Sequence, residues 1–147
     1  MLVSLSVYSV FLAFLTLITG GIAIRAFLAW RRPGARTLGA LMLVMMIWAG
    51  FYLLEITLPS LPLKVASRKF LYLGMTLSGP LSLAFALRYT GYSKWWTKHR
   101  HIFILTIPGV IAFLLGLTNE YHHLTWRSMN MPGGSIGPLE LVNGPGF

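Results

Sequence analysis

The chain has no cysteine in its 147 residues and only three acids, Glu55, Glu120 and Glu140. The first absence excludes a disulfide, a thiolate nucleophile and a cysteine-based metal site, and it leaves the redox compartment unread. The second leaves little material for paired-carboxylate catalysis. Charge of either sign is scarce. Charged residues make up 10% of the chain, against roughly 25% in ordinary soluble domains. There is no phosphate-binding loop, no His-Glu-x-x-His pattern and no nucleophile constellation. We therefore expect no enzyme activity within this segment and no cofactor.

What fills the chain instead is apolar. Hydrophobic residues account for 56%, and the mean hydropathy is +0.71. A soluble core of this length could not bury so much apolar surface. The expected class is an all-α membrane protein with four transmembrane helices, at about 2–30, 37–58, 65–90 and 101–118. Leu2 to Ile24 carries no charge and is long enough to cross roughly 30 Å of hydrocarbon. It lacks a basic n-region, and its apolar run is too long for a signal-peptide h-region. Pro59 and Pro62 break the chain between spans two and three. Gly91 and the polar run Ser93–Lys98 separate three from four. Two parts follow: 1–118 is a four-helix membrane part, and 119–147 is a loop or tail.

The net charge of +9 invites a nucleic-acid reading, but the basic residues cluster beside the apolar runs. Arg25, Arg31, Arg32, Arg36, Arg88, Lys94, Lys98 and Arg100 fall on one side; Lys64, Arg68, Lys69 and Arg127 fall on the other. By the positive-inside rule the first group is cytoplasmic, and Trp30, Trp95 and Trp96 are its interfacial anchors. The N-terminus and everything after Leu117 are then outside. The partner is the lipid bilayer and not nucleic acid, and the location is the plasma (inner) membrane. Lys98-His99-Arg100-His101 reads as a headgroup-binding edge or a signalling contact. Gly74-x-x-x-Ser78 and Ser78-x-x-x-Ser82 mark a close helix contact, and Pro80 and Pro108 mark kinks.

Polar chemistry converges on the outer side. Glu55 ends the uncharged run Thr37–Leu54, and an acid in such a place is costly unless it pairs or acts. Two readings are open: a structural ion pair with Arg68 or Lys69, or a polar anchor in an outward-facing pocket with His122 or His123 as its partner. In the second, Trp48, Tyr52 and Trp126 are aromatic walls. His122 and His123 are adjacent and would point apart on a helix, so no metal site is expected. Met131-Pro132-Gly133-Gly134 and Gly144-Pro145-Gly146 bracket Ile136–Val142 as turn signals, suggesting a small hairpin or lid.

An ordered set of short motifs runs through these residues: Trp48-x-x-Phe51-Tyr52-x-x-Glu55, Tyr72-Leu73-Gly74, Pro80 with Phe85 and Tyr89-Thr90-Gly91, Ile107-Pro108, and Thr118-Asn119-x-x-His122-His123-Leu124-x-Trp126. The set resembles the N-terminal seven-helix membrane region of bacterial sensor histidine kinases, a region that also precedes other output domains such as diguanylate cyclases. The resemblance implies an outside N-terminus and a cytoplasmic output domain, here cut short after the fourth span. It implies a sensor input module for an unknown small ligand or a proton, and it is compatible with a homodimer. Neither His122 nor His123 is then a phosphoacceptor, because both lie outside. A small transporter or channel component and a structural membrane subunit are the alternatives.

Overall fold

Apolar runs closed by glycine, proline and basic turns give this chain long helices. The structure, a computed structural model, describes residues 2–91, 99–131 and 137–145. The helices are α1 (Leu2–Leu28), α2 (Ala35–Thr57), α3 (Leu61–Thr90), α4 (His99–Leu117) and the short α5 (Asn119–His122). Strands β1 (Trp126–Asn130) and β2 (Glu140–Asn143) follow. The all-α expectation is corrected: the described residues are mostly helical and include a two-stranded sheet.

One boundary differs from the sequence reading by more than two residues. Helix α3 starts at Leu61 rather than near 65, because Pro62 sits in its first turn, where a missing N–H is no loss. Among the described residues, three helices are long and apolar enough to cross a membrane: Val7–Leu28, Ala35–Thr57 and Leu61–Thr90. The apolar part of α4, Phe103–Leu117, is shorter. Pro80 and Pro108 lie inside continuous helices. The expected anchors Trp95 and Trp96 lie outside the described residues, as do Lys94 and Lys98.

Consecutive helices pack in chain order, α1 on α2, α2 on α3 and α3 on α4. The short connections at 29–34 and 58–60 fold each helix back on the one before it. One end of the bundle gathers the C-terminus of α2, the N-terminus of α3 and the hairpin. We call it the hairpin end, and the opposite one the turn end. A small core of Leu41, Val44 and Leu81 with Leu77 and Phe85 lies between α2 and α3. Most of the remaining apolar surface faces outward, with Leu17 75% and Phe103 70% exposed. Such continuous apolar exteriors suit lipid rather than water.

Gly74 sets the closest approach of α2 and α3. A Cβ there would lie 2.5 Å from the Val44 carbonyl oxygen and 2.7 Å from the Trp48 Cβ. Of the expected small-residue stripe, Gly74 is buried at this contact, Ser78 is partly buried and Ser82 is exposed. The hydroxyls of Thr16 and Thr19 donate to the carbonyls of Leu12 and Leu15, each at 2.8 Å. That is the ordinary self-satisfaction of threonine in an apolar helix.

The hairpin is antiparallel. Ser128 pairs with Val142, Met129 with Leu141 and Asn130 with Glu140, and the register shifts between Trp126 and Ser128. The bracketed stretch Ile136–Val142 therefore contributes its second half to β2. The partner strand comes from Trp126–Asn130, a segment with little alternation of apolar and polar residues.

Candidate functional site

The end of α2 leaves carbonyls that its own helix cannot satisfy, and in this chain other segments meet them. Leu58 N–H donates to the Leu54 oxygen at 2.9 Å, inside the local turn. The Glu55 carbonyl accepts from Lys64 Nζ at 2.8 Å. The Ile56 carbonyl accepts from Gly137 N–H at 3.2 Å. Lys64 also donates to the Gly137 carbonyl at 2.6 Å and is fully buried. Its ammonium thus caps the C-terminus of α2, where the helix dipole favours a cation.

Glu55 is fully buried beside this cap. Its Oε1 accepts from Arg68 Nη2 at 2.8 Å and from Leu139 N–H at 3.0 Å. Among the described residues, Glu55 Oε2 and Arg68 Nε are buried without a hydrogen-bond partner. The arrangement is a latch: Glu55 and Lys64 from two helix ends hold the backbone of residues 137–139. Lys69 takes the other acid nearby, Glu120, at 2.6 Å. That contact holds the Glu120 carboxyl below its ordinary range, first through the hydrogen bond and then through the ammonium charge.

Asn119 ties the other strand. It is buried, its Nδ2 donates to the Trp126 carbonyl at 2.7 Å, and its Oδ1 accepts from the Thr125 N–H and hydroxyl, both at 2.8 Å. Trp126 is thereby set against Tyr72 of α3 in an edge-on contact, 5.5 Å between ring centres. Between α3 and the hairpin lies a cavity of about 190 Å³, lined by Arg68, Tyr72, Met75, Trp126, Leu141 and Asn143 among others.

Of the residues singled out from sequence, Glu55 and Arg68 meet directly, and Arg68 and Trp126 share the cavity. The histidines stand elsewhere. His122 Nδ1 accepts from Leu124 N–H at 3.1 Å, and its Nε2 lies 3.2 Å from the Thr118 hydroxyl. That hydroxyl already donates to Leu114, which leaves its oxygen free to accept from the ring. His123 closes α5 in the left-handed conformation, φ 50°. Pairing of Glu55 with either histidine is therefore corrected to pairing with Arg68. The reason is geometric: α5 ends one turn beyond α4 and spends its histidines on its own termination.

Tyr52 contacts Tyr8 of α1 edge-on at 6.0 Å. Trp48 packs at the α2–α3 contact, with 39% of its surface exposed. Neither lines the cavity. Among the described residues, no three histidine or acidic side chains gather as a metal site would require.

Lys64, Asn119 and Leu139 are the site residues that sequence reasoning left aside. Lys64 had a signal. A lysine in the first turn of a helix opposes the dipole, and α3 has no acid there to offset it. Asn119 had only its place in the motif string, and Leu139 acts through its backbone, which leaves no trace in residue type.

No curated protein and no solved structure matches this chain significantly. The family model described as the N-terminal 7TM region of histidine kinase matches residues 11–147, nearly the whole chain. The match agrees with the ordered motifs and the long apolar helices. It concerns a sensor region rather than a catalytic domain. The chain is thus a multi-pass membrane protein that belongs to the family of N-terminal 7TM regions of histidine kinases.

Proposed function

We propose that this chain is the input part of a plasma-membrane receptor. It binds a small ligand at the hairpin end and passes the event through α2 and α3 to a cytoplasmic output domain. In this reading α4 is the fourth span, the N-terminus and the hairpin are outside, and the turn end is cytoplasmic. The uneven distribution of basic residues supports that orientation.

One observation carries the reading: the cavity under the hairpin shares Arg68 with the latch. A ligand in the cavity can compete for the Arg68 guanidinium, whose Nε–H is unmet. That competition loosens Glu55, and with it the grip on Leu139 N–H. The cavity walls are mainly apolar with few polar groups, as in small-molecule sites generally, although its volume lies below the usual several hundred Å³. It suits a ligand of a few heavy atoms bearing a hydrogen-bond acceptor.

A structural role is the second reading, and the Glu55–Arg68 ion pair favours it, since the pair satisfies the costly acid without any ligand. Leu141→Trp separates the two. It fills the cavity from β2 and leaves the ion pair intact. In a full-length receptor with an output reporter, the receptor reading expects Leu141→Trp to abolish or lock the response to stimulus while unfolding is unchanged. A normal response would remove the cavity from the mechanism.

A further inference from the structure

All three acids of the chain sit at the hairpin end: Glu55 in the last turns of α2, Glu120 in α5 and Glu140 in β2. The turn end therefore holds arginines with no acidic side chain to balance them. Arg36 lies over the Trp30 ring, 4.7 Å from its centre. Arg25 and Arg32 instead line a cleft of about 690 Å³ between the end of α1, the turn before α2 and the end of α3. Its other walls include Ile22, Leu38, Phe85 and Tyr89.

We infer that this cleft is a binding site for an anionic glycerophospholipid of the surrounding leaflet. Its phosphate would lie between Arg25 and Arg32, with an acyl chain running along Ile22 and Leu38. Three features fit that occupant together. The charge is unbalanced and cationic, and guanidinium groups suit a phosphate because they can donate two parallel hydrogen bonds. The walls are apolar, which a free inorganic anion would not use. The cleft also lies where the candidate span Val7–Leu28 ends, and the end of a span is where headgroups meet hydrocarbon. Basic pockets between helix ends are recognised sites for acidic headgroups. This site is independent of the hairpin cavity and of the receptor reading.

The test uses the full chain purified in a neutral detergent. Native mass spectrometry then measures retention of phosphatidylglycerol against phosphatidylcholine. Phosphatidylglycerol should bind preferentially, and Arg25→Gln with Arg32→Gln should weaken it about twenty-five-fold, from roughly fivefold per basic residue near an anionic surface. Arg127→Gln, on the hairpin, should leave it unchanged. Photoactivatable phosphatidylglycerol on the unaltered protein gives a second measurement that no misfolded variant can confuse. Labelling should fall within 22–38 and 85–89. Equal retention of the two lipids, undiminished retention in the double variant, or labelling elsewhere would each overturn the site. Displacement of the lipid by inorganic phosphate alone, or a cross-link showing a protein helix seated in the cleft, would do the same.

Discussion

Glu55, Arg68 and Lys64 form a group in which each charge answers another residue's need. Removing one member leaves a buried partner behind, which typically costs about 3–5 kcal/mol. We expect Glu55→Ala to lower the unfolding free energy in detergent by that amount, because Arg68 Nη2 and Leu139 N–H then lose their acceptor. Lys64→Met should act similarly, since it uncaps two backbone carbonyls. The Lys69–Glu120 pair makes a contrast, because Glu120 is well exposed. Its carboxyl is held below the ordinary range. The stabilising effect of the pair is therefore present above the unfolded-state value and is lost as pH falls through the lower folded-state one. NMR titration of the Glu120 carboxyl should show this depressed midpoint, and Lys69→Gln should return it to normal. His123 offers a third test. Its left-handed backbone is one that glycine adopts freely, so His123→Gly should be neutral or raise stability by up to about 1 kcal/mol. A large loss would mean that the imidazole has a contact beyond the helix end.

At the scale of elements, the α2–α3 contact depends on the missing side chain at Gly74. Gly74→Val would press a branched side chain onto backbone atoms of α2, and overpacking of this kind costs about 1–3 kcal/mol or more. The expected result is a lower unfolding midpoint with unchanged helix content by circular dichroism. The helices were legible in the sequence because uncharged runs are long and their breaks are marked by Pro-Gly, Pro59 and Gly91. The start of α3 was less so, since a proline that ends one element can also open the next. Gly74 was visible as a small residue, although the same reasoning also marked Ser82, which lies exposed. The site was half legible. Glu55 stands out as the only acid closing an apolar run, and Arg68 was among its named partners. Residues 137–139 were not, because their part is played by N–H and C=O groups that every residue possesses.

At the scale of the whole molecule, orientation in the bilayer is the property most open to direct measurement. The absence of cysteine makes single-cysteine labelling clean. Ser128→Cys on the hairpin should react with an impermeant reagent added outside intact cells, and Thr90→Cys at the end of α3 should react only after permeabilisation. The reverse pattern would invert the topology and place the hairpin cavity in the cytoplasm. The latch also has a consequence in time. Helix α2 is synthesised and inserted about eighty residues before Gly137 and Leu139 exist, and domains form from the N-terminus as the chain grows. Until then the carbonyl of Ile56 lacks its later partner, Glu55 lacks one of its two donors, and Lys64 lacks one of its acceptors. The bundle can therefore assemble early, but its hairpin end is sealed only by the last segment of this stretch to emerge. A nascent chain stalled before that segment would present an unsealed charged end to the membrane proteases that survey newly made proteins.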